Sequence, residues 1–188
     1  MLDKNKTYIG LSFSDNLISD FIEDHQQGQE FIKGNKCSHV LALIYCPDNN
    51  ATWYIFEASI LYGGVRKIKL SDYVLEKTKD KKDIIIFKEL DLDIPSLIYY
   101  YNFIKYYPYD VKNLFYRLLD NVPLLSSRGT KNLICSKYLA MSEVGYKTCY
   151  EFNIPYDEIT PAHLQKHVER LPIDLSINLL TKGNKKNV

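Results

Sequence analysis

Several features that announce a function are scarce in this chain of 188 residues. Its 24 basic and 23 acidic side chains cancel to a formal charge of +1, which leaves no electrostatic footprint for nucleic acid or another polyanion. There are four cysteines, at positions 37, 46, 135 and 149, and they form no CxxC pair. His163 and His167 are four apart, but without cysteine partners at ligand spacing they read as one polar face of a helix. No metal or cofactor is therefore expected. No run approaches the roughly 18 apolar residues of a membrane span. The opening MLDKNKTYIGLSF lacks the apolar core and small-residue cleavage site of a secretory signal, so a soluble, cytoplasmic protein in a reducing compartment is expected. Internal repeats, low-complexity segments and dividing linkers are also missing. With 46% hydrophobic residues the chain can bury one full core, so residues 1–188 are expected to form a single domain with a frayed tail at 182–188. Two Met and one Trp stand against sixteen Tyr, a bias that carries no mechanism by itself.

The chain is organised around Ser38 to Val65, SHVLALIYCPDNNATWYIFEASILYGGV. Ser38–Tyr45 and Ala51–Ser59 are rich in β-branched and aromatic residues, and the turn formers Pro47, Asp48, Asn49 and Asn50 lie between them, so the pattern predicts a β-hairpin. Both strands are apolar at nearly every position, which predicts a hairpin covered on two faces and makes His39 and Glu57 at its open end conspicuous. A three-residue loop at Pro47–Asn49 sets the sum of opposed positions at 96, which places His39 directly across from Glu57. Directly opposed residues have Cβ atoms roughly 4.5–5.5 Å apart.

Other elements follow in order. Tyr8–Phe13 reads as a strand, and Asp15 as the cap of a helix that places Leu17, Ile18, Phe21 and Ile22 on one face. His25–Cys37 is a polar loop. After a Gly63-Gly64 turn, Val65–Leu70 alternates as a half-buried strand does, Lys77–Lys82 is a charge run that reads as a solvated loop, and Ile84–Phe87 is a compact strand. Asp91 and Asp93 sit in a turn and helix cap rather than a metal site. The second half is helical. Ser96–Tyr107 is apolar nearly all round and is expected to be buried, and Asp110 caps a helix through Leu119. A loop at Asn121–Thr130 leads into a helix over Lys131–Val144 that Gly145 stops, and Thr160-Pro161 opens a last helix.

A thiol in the first turn of a helix is biased toward thiolate, an imidazole beside it can take its proton, and a carboxylate beyond the imidazole fixes the tautomer. Cys135, His39 and Glu57 are the candidates for these three roles. Taken singly, Cys135 reads as a small buried residue, His39 as a hydrogen-bonded strand-end histidine, and Glu57 as a rim residue.

The fragments CSHVLALIY, WYIFEASILYGGVRKIKLSDY, NLICSKYLAMSEVGY and ITPAHL together resemble the circularly permuted, YiiX-like branch of the NlpC superfamily of papain-like cysteine hydrolases. The likeness runs from Lys36 to Leu164. It implies an α+β fold with a small antiparallel sheet packed against the cysteine-bearing helix. Carried over by position, it also implies Cys135 as nucleophile, His39 as base and Glu57 as the residue that orients the imidazole. The implied activity is hydrolysis of amide or ester bonds in a small-molecule, peptide or lipid substrate through an acyl-enzyme. Acyl transfer on the same fold, or a binding protein that has lost turnover, are the alternatives. The chain departs from the pattern at Lys137, where many relatives carry Glu after Cys-Ser, and at Gly10-Leu11-Ser12, a weak echo of the family's opening strand.

Overall fold

The computed structural model describes residues 2–13, 37–48, 50–78, 84–90, 94–109, 135–140, 142–170 and 177–178. In chain order these hold β1 (Thr7–Phe13), β2 (His39–Cys46), β3 (Thr52–Ser59), β4 (Gly64–Lys69), α1 (Leu70–Thr78), β5 (Ile84–Leu90) and α2 (Ile94–Ile104). Then come α3 (Cys135–Ala140), α4 (Glu143–Phe152), a 3-10 turn (Tyr156–Glu158), α5 (Pro161–Glu169) and β6 (Ile177–Asn178). The class is α+β. The strands form one sheet in the order β4-β3-β2-β1-β5-β6, and every neighbouring pair is antiparallel.

The β2–β3 hairpin is central and is covered on both faces, as its unbroken apolar run predicts. Val40, Ala42, Ile44, Phe56 and Ala58 join a core with Tyr138, Leu139, Val144, Leu164 and Val168 of the helices. The alternate residues Leu41, Leu43 and Ile55 pack with Tyr8 and with Tyr73 of α1 on the other side. Period-two alternation divides the strands between the two cores.

The hairpin register differs from the expected one. Ala42 pairs with Phe56 and Cys46 with Thr52, so opposed positions sum to 98 rather than 96. The connection runs from Pro47 to Ala51, and Asn50 and Ala51 take positive φ of 59° and 45°, which lengthens the turn by two residues. His39 is therefore not directly opposite Glu57. A shift of two preserves the faces, whereas a shift of one would have put the two residues on opposite sides of the sheet.

Three helical expectations change. The run through Val144 is divided into α3 and α4 by an extended Ser142 (φ −92°, ψ 167°), and Gly145 lies inside α4 instead of ending a helix. The left-handed Asn153 (φ 51°) closes α4, a position the short amide side chain of asparagine tolerates. Helix α2 is not buried all round: Tyr99 and Phe103, four apart on one side, are 75% and 63% exposed, while Leu97 and Ile104 enter the core. Lys77 belongs to α1, not to a loop. The expected helices after Asp15 and Asp110, the loops at His25–Lys36 and Asn121–Thr130, most of the charge run, Asp91, Asp93 and the 182–188 tail lie outside the described residues.

Helix α5 begins as its sequence dictates. Thr160 accepts from the His163 backbone N–H, the His163 ring accepts from the Thr160 backbone N–H, and Pro161 occupies the first turn. Among the described residues no helix is long and apolar enough to cross a membrane, and no group of three or more His, Cys, Asp or Glu could hold a metal ion.

Candidate functional site

The site is built where β2 starts and β3 ends. Four segments distant in sequence converge there, held by hydrogen bonds that each use at least one backbone group. The Ser38 N–H donates to the Ser12 carbonyl of β1 at 3.1 Å. The Cys37 N–H donates to Gln165 Oε1 of α5 at 2.7 Å, and the Cys37 thiol, fully buried, donates to the Pro161 carbonyl. Ser136, also buried, donates to the Ile159 carbonyl at 2.7 Å and so ties the first turn of α3 to the segment that opens α5. The Ser after Cys135, the Thr-Pro start of α5 and the Cys-Ser-His start of β2 are thus parts of one joint. Cys37 has a structural place in it.

His39 Nε2 and Glu57 Oε2 are 2.6 Å apart. The pair forms although the residues are not directly opposed, because both side chains are on one face at the mouth of the hairpin and the carboxylate reaches diagonally. Glu57 is 2% exposed and the His39 side chain 20%, so the contact is largely shielded from water. With Nε2 engaged by Glu57, Nδ1 is the ring nitrogen left for the thiol.

Cys135 is the first described residue of α3 and is 4% exposed. Burial alone pushes its thiol pKa up, but the charge of His39, a hydrogen bond with its ring, and the backbone N–H groups of Val40 and Ser136 outweigh burial and lower it. On the imidazole, burial acts downward. The Cys135 charge and hydrogen bond, followed by those of Glu57, overcome it and raise His39 from 6.5 to about 10. Sulfur and ring thus stabilise each other as thiolate and imidazolium. Burial also pushes Glu57 up, yet hydrogen bonding and charge from His39, then from Arg66, hold it below the ordinary 4.5. The structure therefore brings together all three residues that the sequence singled out, each pushed toward its charged form by its neighbour.

Two further side chains belong to the site. Arg66 is directly opposite Glu57 in the β3–β4 ladder and its Nε donates to Glu57 Oε1 at 2.5 Å. A basic residue across the Gly63-Gly64 turn from Glu57 was a usable sequence signal, since opposite charges are favourable cross-strand partners. The other is Tyr109, buried to 8% exposure, whose hydroxyl faces both the Cys135 backbone N–H and its sulfur. Burial, then the Cys135 charge, drive the Tyr109 pKa well up, so the phenol stays protonated and able to donate. No sequence signal marks it within the tyrosine-rich run YYYNFIKYYPY.

The glycine pair explains how Tyr109 arrives. Gly63, at φ +71°, accepts from the Tyr109 N–H at 2.8 Å, and Gly64 bridges to Pro108. A Cβ on Gly64 would meet the Tyr107 carbonyl at 2.7 Å, so only glycine lets the 107–109 segment lie this close. The turn that follows the Glu57 strand seats the tyrosine beside the thiol.

Comparisons of the chain with protein-family models, with curated proteins and with solved structures find no match.

Proposed function

We propose that the protein is a cysteine hydrolase of amide or ester bonds, a permuted papain-like enzyme in which Cys135, His39 and Glu57 act as nucleophile, base and orienting acid. The observation that carries this reading is the thiol–imidazole–carboxylate series at the strand end, with the carboxylate 2.6 Å from the ring and shielded from water. The antiparallel sheet packed against the cysteine-bearing helix, and the Cys-Ser, Thr-Pro and Cys-Ser-His segments meeting at one joint, support it further.

In this reading the Cys135 thiolate attacks the substrate carbonyl carbon, and the sulfur–carbon bond forms as the carbonyl π pair moves to oxygen. The His39 imidazolium gives its proton to the leaving amine or alcohol as the bond to carbon breaks, which leaves a thioester. Water attacks that thioester, His39 takes its proton, and thiolate departs with the acid product. Throughout, Glu57 keeps the imidazole in one orientation and stabilises its charged form. The Cys135 backbone N–H is one donor for the oxyanion. The Tyr109 hydroxyl, facing that same N–H and the sulfur, is the second.

An activity-independent test is available. Iodoacetamide near neutral pH, followed by peptide mapping, is expected to label Cys135 ahead of Cys37, Cys46 and Cys149, because the thiolate is the reactive species. Cys37 or Cys149 labelled first would overturn the assignment. Product analysis of hits from an acyl-substrate panel, with and without amine or alcohol acceptors, separates hydrolysis from acyl transfer.

A further inference from the structure

Glu57 is held from two sides, and only one of them belongs to the triad. Opposite His39, Arg66 Nε donates to Glu57 Oε1 at 2.5 Å while Arg66 Nη1 donates to Glu76 Oε2 of α1 at 3.0 Å. Glu76 Oε2 also accepts from the Tyr62 hydroxyl at 2.7 Å. The guanidinium lies over the Tyr62 ring at 3.3 Å and near that of Tyr73 at 5.7 Å. The Arg66 side chain, 15% exposed, therefore has its plane fixed by two carboxylates and an aromatic face. A carboxylate with both oxygens committed to different partners cannot rotate without breaking one of them.

We propose that Arg66 is a positioning residue of the thiol site: its guanidinium, anchored to Glu76 and Tyr62, keeps Glu57 ionised and turns Oε2 to His39, so that the imidazole is presented to Cys135. This rests on the cysteine-hydrolase reading and assigns that site a fourth charged member. Among the described residues, the charged and titratable groups facing Glu57 are His39 from β2, Arg66 from β4 and Tyr109 from the segment after α2, with Cys135 of α3 beyond His39. Glu76 of α1 acts on it through Arg66. Of the described groups that face Glu57 directly, Arg66 alone carries a charge that does not change in the reaction, since a guanidinium is not deprotonated in proteins. When His39 gives up its proton, Glu57 would otherwise be a buried anion with no cation beside it, a costly state. Arg66 leaves the carboxylate matched at every step of the cycle.

The experiment uses the full chain and two readouts, neither of which needs a substrate. One is the titration of the Glu57 side-chain carboxyl carbon by NMR, assigned by comparison with Glu57→Gln. The other is the rate of Cys135 alkylation at pH 7. In Arg66→Gln, which retains a donor and removes the charge, the Glu57 midpoint is expected to rise by about one to three pH units, and Cys135 alkylation should slow. Arg66→Lys should return the midpoint most of the way, because charge is restored. It should recover alkylation only in part, because a single ammonium lacks the fork that spans Glu57 and Glu76. Should Arg66→Gln not fold, Arg66→Met gives the same two readouts. An unmoved Glu57 midpoint in a folded neutral variant overturns the proposal. So does a moved midpoint with unchanged alkylation, which would make the pair structural only. If wild-type Cys135 is itself no more reactive than Cys46, the triad reading has failed and this proposal falls with it; the alkylation control tells that outcome apart from the other two.

Discussion

Two histidines in this molecule each touch a glutamate at 2.6 Å, and the surroundings turn them in opposite directions. His39 meets a carboxylate that is 2% exposed and a thiolate that favours its charged form, and it is raised to about 10. His167 meets Glu151, which is 24% exposed and also paired with Arg170, and burial followed by the charge of Lys147 pushes its pKa below 6.5. Near neutral pH the first ring is an imidazolium and the second is neutral. Contact distance alone therefore does not make a site. What distinguishes His39 is a second anion on its far side and the exclusion of water from the first.

The largest expected effect breaks the comparison at its source. Cys135→Ala should abolish turnover on any substrate found, and His39→Ala should come close, with losses on the order of 10⁶-fold by analogy with the nucleophile and base of a serine protease. The matching change at the second pair, Glu151→Gln, should leave Cys135 alkylation unchanged and cost less than about 1 kcal/mol of stability, as exposed ion pairs do. Peptide mapping and denaturant titration measure the two.

Glu57→Gln is expected to cost less than Cys135→Ala, because an amide oxygen can still accept from the ring. Its pH signature is the sharper observation. Removing the negative charge lowers the His39 pKa, so the alkaline limb of the rate profile should move to lower pH. Equal profiles for wild type and Glu57→Gln across the pH range would show that another residue holds the imidazole.

A smaller effect concerns stability. His39, raised from 6.5 to about 10, contributes stability that is fully present below pH 6.5 and is lost as pH rises through about 10. Cys135, lowered from 9.0, contributes stability that is fully present above pH 9.0 and is lost as pH falls through its depressed value. Between 6.5 and 9.0 the two contributions change in opposite directions with pH and offset each other, and above 9.0 only the loss from His39 remains. Melting temperature against pH should fall above pH 9.0 in wild type, and this alkaline loss should shrink in Cys135→Ala, where the sulfur no longer raises His39. His167, lowered from 6.5, adds only a loss of stability toward acid.

The smallest expected effect lies at the joint beneath the site. Thr160→Ala should cost about 1 kcal/mol, the usual value of a helix N-cap, and should leave the order of cysteine labelling intact. A changed order would mean that the α5 cap positions the thiol as well as the helix.

Much of this architecture was legible in local chemistry. Runs of β-branched and aromatic residues marked β1 to β3, alternation of apolar and basic residues marked β4, the turn formers at Pro47–Asn50 and Gly63-Gly64 marked their connections, and Thr160-Pro161 marked the start of α5 to the residue. Such signals depend on neighbours a few positions apart, so they survive without knowledge of the fold. The same-face placement of His39 and Glu57 belongs with them, because parity along a strand is a local property.

Only the tertiary structure decided the rest. The register was off by two because Asn50 and Ala51 adopt left-handed φ, which non-glycine residues rarely take and which the pairing around them must stabilise. The split between α3 and α4, and the exposure of Tyr99 and Phe103, depend on which surfaces the sheet offers for packing. The ionisation of Cys135, the hold of Arg66 on Glu57 and the arrival of Tyr109 at the thiol require segments from β1 to α5 to meet at one strand end. The sequence by itself determined which side chains could do chemistry and which strands would carry them. Packing determined their charge states, since a pKa is set by burial and by partners far away in the chain.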